Sequence, residues 1–232
     1  MPNLTAWCST AITLSEIEQR LRDLTNAVLV GKADEARLST YAALARGSTT
    51  IEVLDAVVEG VNILVDLHEV GEYDQARLNI SENAVSASLQ PIEDKLSRAE
   101  GRLNLKVTVG PVGLKGGNLL ALVLSATLRS MGFKAVCLSK TQTALELLRN
   151  SEESGADLVI PLLGTIDPEG QLRNFAGEIE RGGFKSKFEV IHVVSGLPEG
   201  FQTPLKVANN SSEAITKATE WALKRRSQRK IP

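Results

Sequence analysis

The stretch LKVTVGPVGLKGGN, residues 105–118, decides how this sequence is expected to fold. It begins with an apolar run of strand length, passes through glycines at Gly110, Gly113 and Gly116, and leads into the apolar pattern of a helix. A strand that leads through glycines into a helix is typical of the first strand–helix unit of an α/β sheet. The ligands of such sheets bind outside the carboxyl ends of the strands. The spacing matches neither a Walker motif nor GxGxxG. The turn is therefore either a ligand site or a tight strand–helix connection.

Downstream of this turn, apolar runs of strand length alternate with stretches of helical length. The predicted strands are Leu105–Val109, Ala135–Leu138, Leu158–Leu163, Val190–Val194 and Leu205–Ala208. The predicted helices are Gly116–Ser130, Thr141–Ser151, Glu169–Arg181 and Ser211–Arg226. Strands that are apolar on both faces and alternate with helices indicate a parallel sheet that is covered on both sides. We therefore predict a doubly wound, flavodoxin-like sheet of five parallel strands.

Upstream of the turn, residues 13–99 have helical periodicity throughout. Capping boxes at Thr13–Glu16 and Thr49–Glu52 mark the starts of two helices. Pro91 is expected to kink or break the fourth helix, because proline has no N–H for the helical ladder. Four helices with short connections predict a small antiparallel bundle. The sequence thus divides into a helical cap domain, 13–99, and a Rossmann-like domain, 104–228.

The composition excludes several classes of protein. Hydrophobic residues make up 43% and charged residues 23% of the chain, and the net charge is -2, which is typical of globular proteins and not of disordered ones. This slight acidity gives no electrostatic reason to bind nucleic acid. No apolar run approaches membrane-spanning length, and the start lacks the pattern of a signal peptide. A cytoplasmic protein that binds neither nucleic acid nor membrane is expected.

The residue types that catalyse hydrolysis or bind metals do not form a recognisable motif. The two histidines, His68 and His192, and the two cysteines, Cys8 and Cys137, have neither the spacing of a metal site nor that of a catalytic triad. His192 and Cys137 lie in apolar segments and are interpreted as packing residues. A helical bundle followed by a doubly wound sheet, without a catalytic motif, indicates a carrier or binding module.

Eight segments of the chain follow a known pattern in order and spacing. In the cap they are Leu24–Gly31, Val65–Tyr73 and Leu89–Pro91. In the sheet domain they are Lys106–Gly110, Gly116–Leu119, Ser130–Val136, Ala156–Val159 and Ser195–Pro198. Together they resemble the cobalamin-binding corrinoid proteins of methyltransferase systems and the matching domains of cobalamin-dependent methionine synthase. The resemblance covers nearly the whole chain, and it implies a protein that carries a corrinoid and supplies no acid, base or nucleophile of its own.

The signature of that family, Asp-x-His-x-x-Gly, is largely missing. In the family its His binds cobalt from below and its Asp tunes that His. Here Pro111 stands at the Asp position and Gly113 at the His position, so that only Gly116 survives. The Ser-x-Leu motif that follows the third strand in the family corresponds to Pro161–Thr165, where Thr165 supplies a hydroxyl. The resemblance therefore implies cobalamin without a lower axial protein histidine.

The resemblance assigns further residues to the cofactor. The residues that would flank or line the slot for the nucleotide tail are Gly110, Gly113, Gly116, Asn118, Thr165, Ser195 and Gly196. On the reactive side, His68 stands where the family has an aromatic residue over the corrin, and Gln75 replaces a capping aliphatic residue. Because imidazole is a good cobalt ligand, His68 is a predicted metal ligand. The alternative for His68 is a surface histidine with a solvent partner.

Three functions remain open at this point. The first is a corrinoid carrier subunit of a cobalamin-dependent methyltransferase system, with methyltransferase subunits or a corrinoid-activating protein as partners. Self-association into a homodimer is open as well. The second is a regulatory or interaction protein that binds a corrinoid or another tetrapyrrole and has lost methyl-transfer chemistry. The third is a nucleotide-binding module that uses the glycine turn for phosphate, which ranks last because it gives the helical cap no role.

Overall fold

The computed structural model describes residues 14–114, 116–138, 140, 142–164, 166–198 and 200–228. Within them, a bundle of helices is followed by a parallel sheet that has helices on both faces. The predicted α/β class with an N-terminal helical cap is thereby confirmed. No helix in this part of the chain is long and apolar enough to cross a membrane.

The cap consists of four longer helices and one short one. They are α1 (Leu14–Val30), α2 (Ala33–Ala45), α3 (Thr50–Glu69), α4 (Gln75–Leu89) and α5 (Glu93–Ala99). The predicted capping box starts α3: the Thr49 hydroxyl accepts the Glu52 backbone N–H at 3.2 Å, and the Glu52 carboxylate accepts that of Thr49 at 2.6 Å. The other predicted box starts at Thr13, which lies outside the described residues. Pro91 lies in a 3-10 turn and breaks the predicted fourth helix into α4 and α5.

The cap has its own apolar core, built from one face of each long helix. Leu24 and Val28 on α1, and Val57 and Leu64 on α3, have no exposed surface. Their spacing of four or seven residues is that of a helix face, and burying each such side chain contributes about 1.5–3 kcal/mol. Gly60 lets α1 and α3 approach closely, because a Cβ there would lie 3.0 Å from Cγ1 of Val28.

The named strands of the sheet pair in parallel. Its strands are β1 (Lys106–Val112), β2 (Lys134–Cys137), β3 (Leu158–Leu163), β4 (Glu189–Val190), β5 (His192–Val193) and β6 (Val207–Ala208). Their order is β2-β1-β3-β5-β6, and β4 also pairs with β3. The predicted fourth strand, Val190–Val194, therefore forms as two short pieces interrupted at Ile191. All six residues of β3 are buried, as expected for a central strand that is covered on both faces.

Four helices belong to the sheet: α6 (Gly117–Ser130), α7 (Ala144–Glu153), α8 (Pro168–Arg181) and α9 (Ser211–Gln228). Of these, α6 contributes to two cores. Leu119 and Val123 join the core of the cap, whereas Leu124 and Leu128 join the core of the sheet. The cap is thus seated on α6. The division into two units at residues 99–103 stays a prediction.

Candidate ligand-binding site between the cap and the sheet

A cavity of about 300 Å³ lies between α3 of the cap and the carboxyl ends of the strands. Its cap side is formed by Asn62, Val65, Asp66 and Glu69. Its sheet side is formed by Leu114, Leu120, Leu162, Leu163, Val193, Ser195, Asn209, Asn210 and Ser211. Open α/β sheets bind ligands at this edge. The cavity therefore occupies the position that the topology predicts for a ligand.

The two sides of the cavity differ in chemical character. On the sheet side, Leu162, Leu163 and Val193 present buried apolar surface. On the cap side, Asp66 and Glu69 lie one turn apart on α3 and are exposed. Within the part of the chain that the structure describes, neither carboxylate makes an ion pair or a side-chain hydrogen bond. The cavity thus combines an apolar surface with two carboxylates that have no ion-pair partner among the described residues.

The β1–α6 turn holds Gly113 and Gly116 on either side of Leu114, which lines this cavity. Pro111 continues β1 and lies opposite Leu162 of β3. Gly113, at φ +68, forms an antiparallel bridge with Leu163, and Gly116 has φ +72. Both glycines hold the left-handed conformation that other residues rarely adopt. Among the described residues of the turn, no side chain offers a nitrogen ligand for a metal.

Gln171 holds the β3–α8 loop, which packs closely against the turn. The backbone N–H of Gly164 donates to Oε1 of Gln171 at 2.8 Å, and Nε2 of Gln171 donates to the carbonyl oxygen of Ile166 at 2.7 Å. A Cβ on Gly113 would lie 3.4 Å from the same Oε1, and a Cβ on Gly164 would lie 2.8 Å from the carbonyl oxygen of Gly113. This close packing holds the turn and the loop in one arrangement.

The cap rests directly on the other end of the turn. A Cβ on Gly116 would lie 3.0 Å from Cδ1 of Leu78 on α4 and 3.6 Å from Cγ2 of Val65 on α3. Beside this contact, Nδ2 of Asn118 donates to the Glu82 carboxylate at 2.7 Å, a charge-assisted hydrogen bond. Asn118, a predicted ligand contact, therefore binds the cap.

The other predicted residues of the tail slot lie in different surroundings. A Cβ on Gly110 would lie 2.9 Å from Cδ1 of Leu147, so packing against α7 accounts for this glycine. Ser195 lines the cavity, and the neighbouring Gly196 is exposed with φ +78. Thr165 lies outside the described residues. Among the described members of the predicted tail-slot set, Ser195 is the one that lines the cavity.

His68 and Gln75, the residues predicted to face the metal, lie outside the lining of the cavity. Nδ1 of His68 is 2.7 Å from the carbonyl oxygen of Tyr73. Because a carbonyl only accepts, Nδ1 is the donor of this hydrogen bond, and Nε2 is the nitrogen left for a further partner. Gln75 is exposed and donates to Asn79 at 3.0 Å. No cluster of three or more metal-binding side chains occurs among the described residues, and metal ligation by His68 stays a prediction.

His192 is buried in β5. Its Nδ1 lies 3.2 Å from the carbonyl oxygen of Lys206, and its ring meets that of Phe175 edge-on at 5.3 Å. Its Nε2 is buried and has no hydrogen-bond partner among the described residues. Burial lowers the pKa of His192 from 6.5 to about 4, although the bond to Lys206 acts in the opposite direction. The imidazole is thus a neutral packing group at physiological pH.

Comparison with known proteins identifies the fold. The monomethylamine corrinoid protein of Methanosarcina barkeri has a TM-score of 0.62 and 14% identity, over 88% of this chain and 99% of that chain. A cobalamin-binding protein of Desulfitobacterium hafniense has a TM-score of 0.44 and 16% identity, over 87% and 98% of the two chains. The methanol:cobalamin methyltransferase complex MtaBC of Methanosarcina barkeri has a TM-score of 0.45 and 16% identity, over 95% and 90%.

The resemblance to corrinoid proteins is therefore confirmed at the level of the fold, which this chain shares with the monomethylamine corrinoid protein. No protein-family model and none of the curated proteins matches the sequence.

Apart from Ser195, sequence reasoning missed the polar residues that line the cavity. On α3, Asn62, Asp66 and Glu69 recur at the spacing of one helix face. That spacing is also typical of any solvated helix face, so it does not single them out. Asn209 and Asn210 carry a clearer signal, because they connect a strand to the start of the following helix. In a parallel sheet, that position lies at the edge where ligands bind.

Proposed function

We propose that this protein binds a corrinoid between its cap and its sheet, as the carrier subunit of a methyltransferase system. One observation carries the proposal: a cavity bounded by α3 at the carboxyl ends of the strands, in a fold shared with a corrinoid protein. When bound, a corrinoid supplies a cobalt centre that carries a methyl group, while the protein positions and shields it. Methyltransferase subunits or a corrinoid-activating protein would then be the partners.

The residues around the cavity fit the chemistry of a corrinoid edge. The apolar surface of Leu162 and Val193 suits the ring, and Ser195 and Asn209 offer hydrogen bonds to the amides that fringe a corrin. The ring as a whole is larger than a cavity of about 300 Å³, so admitting it requires the contact between Leu78 and the turn to open. The described residues of the turn offer no nitrogen to cobalt, which would keep water or the corrinoid's own base below it.

A regulatory or interaction protein without methyl-transfer chemistry is the second candidate. It is favoured by the direct packing of Leu78 and Val65 against Gly116, which leaves the cap closed onto the turn. It is also favoured by the replacement of the family's Asp and His by Pro111 and Gly113. Such a protein would take up a corrinoid or another tetrapyrrole reversibly, as a signal.

The test is to incubate the protein with aquocobalamin, remove free corrinoid by gel filtration, and record the visible spectrum. The carrier should keep about one corrinoid per chain. Ser195→Trp should reduce retention, because the new ring fills the mouth of the cavity. Ser227→Trp, at the exposed end of α9, is the matched control and should retain the wild-type amount. Corrinoid that binds at equilibrium but is lost during gel filtration supports the regulatory function. The absence of any binding contradicts both candidates.

A further inference from the structure

A groove of about 800 Å³ runs along the open edge of the sheet, between β6 and α9. Of the described strands, β6 lies at this edge and pairs with β5 alone. The three preceding crossovers contain the helices α6, α7 and α8, whereas the described residues between β5 and β6 form no helix. The layer of helices therefore stops short of β6, and Leu205, Val207 and Trp221 line this edge groove as half-buried side chains.

The outward backbone carbonyl of β6 already has a partner. The carbonyl oxygens of Lys206 and Ala208 accept backbone N–H groups from the β5 side, so the carbonyl oxygen of Val207 points to the free edge. The ammonium group of Lys217 on α9 donates to that oxygen. A lysine in this place is one of the devices that stop a further strand from pairing with an edge. The edge groove therefore suits a helix, which contributes side chains and satisfies its own backbone.

Charged side chains of alternating sign follow the edge groove along α9. They are Glu213, Lys217, Glu220 and Lys224, which all line the groove. Steps of four, three and four residues place them on one helix face. Within α9, Lys217 pairs with Glu213 at 2.7 Å, whereas Glu220 makes no ion pair with a described residue. Because the order of signs is reversed when the helix is followed from its other end, this stripe is complementary to a second copy that lies antiparallel to it.

We infer that two copies of this chain associate through the edge groove, with their α9 helices antiparallel about a two-fold axis. With the axis at the midpoint of the stripe, Glu213 of one copy lies opposite Lys224 of the other. Lys217 likewise lies opposite Glu220, and the symmetry repeats both contacts. A parallel arrangement would instead set like charges against each other. The second α9 thus supplies the helix that the edge groove lacks and covers the apolar surface of Trp221.

Sedimentation equilibrium of the full chain over a range of concentrations tests this interface. The mass should rise from the 25.0 kDa of one chain toward twice that value. Lys224→Glu places a carboxylate opposite Glu213 at both symmetric contacts, so the dissociation constant should increase about tenfold. Arg226→Glu makes the same change of charge near the same end of α9, but Arg226 is exposed and outside the lining. This matched control should keep the wild-type dissociation constant.

Mixing two charge variants tests the antiparallel arrangement. Lys224→Glu and Glu213→Lys each set like charges against each other in a homodimer, whereas a heterodimer of the two has opposite charges at every contact. The mixture should therefore associate as tightly as the wild type. Glu213 also accepts the backbone N–H of Asn209 at 2.7 Å, so circular dichroism must first show that its variant is folded. If it is not, the comparison of Lys224→Glu with Arg226→Glu decides alone.

A wild type that keeps the mass of one chain at every concentration overturns the inference. A dimer that Lys224→Glu leaves unchanged also overturns it, because the copies then meet at another surface. Weakening by Lys224→Glu but not by Arg226→Glu supports the edge groove. Recovery in the mixture supports the antiparallel order of the helices, and a mixture of folded variants that does not recover contradicts it. The proposed function is tested separately, since none of the three substituted residues lines the cavity between the cap and the sheet.

Discussion

Acid is expected to destabilise this protein through His192. Its folded-state pKa is about 4, against 6.5 for an exposed histidine, because burial disfavours the charged imidazole. Above a pH of about 6.5 the ring is neutral in the folded and the unfolded chain, and the full stability is present. As the pH falls from about 6.5 to 4, the unfolded chain takes up a proton that the folded chain resists. The free energy of unfolding therefore decreases across this range.

The size of this decrease follows from the difference between the folded and unfolded pKa values of His192. The two pKa values correspond to roughly 3 kcal/mol in total, and between pH of about 7.5 and 4.5 the linkage relation gives about 2.5 kcal/mol. Urea unfolding at these two pH values measures it in the wild type and in His192→Leu. Leucine cannot titrate and still fills the apolar site beside Phe175. The wild type should lose about 2.5 kcal/mol more than the variant on acidification.

Comparing the wild type with His192→Leu separates the contribution of His192 from the effect of acid on the other titrating groups. Carboxylates also titrate in this range, so the informative quantity is the difference between the two proteins. An equal loss in the wild type and in His192→Leu would refute the reasoning, because it would mean that the buried ring does not resist protonation.

Two further substitutions test the contacts beside the cavity. Gly116→Ala should destabilise the protein by about 1–2 kcal/mol through its positive φ, and further through the new contact with Leu78, as measured by urea unfolding. Gly155→Ala is the control, since it has φ +67 but nothing within 4 Å; an equal loss in both variants would contradict a direct cap contact. His68→Phe should abolish any pH dependence of the bound corrinoid's spectrum if the imidazole coordinates cobalt. A spectrum and an affinity that match the wild type across the pH range would support the alternative that His68 is a surface histidine.

The sequence predicted the elements well where burial decides them. The predicted bounds of β3 are those observed, because an apolar run covered on both faces is a central strand. The last strand was predicted from Leu205, yet it spans only Val207–Ala208. It lies at the edge of the sheet and pairs with β5 alone, so its length depends on how far its partner extends. Apolar periodicity does not contain that information.

The candidate site was harder to predict, because its contacts are tertiary. The three glycines at positions 110, 113 and 116 were predicted as one ligand-facing group, yet each has a different packing neighbour: Leu147, Gln171 and Leu78 respectively. Those neighbours come from α7, α8 and α4, which are distant in sequence from the turn. The motif predicted where the chain turns, and only the assembled fold determines what fills the space beside each glycine.

The two-sided packing of α6 has a consequence for the evolution and engineering of this fold. Leu119, Val123 and Ala126 point into the cap core, and Ala121 and Leu128 point into the sheet core, so the helix has apolar side chains on opposite faces. Without the cap, the first three would form an exposed apolar stripe of the kind that drives association. The apolar contact between the cap and α6 therefore resembles the interface of an obligate dimer. Exchanging it for the cap of a relative would require the outward face of α6 to be redesigned with it.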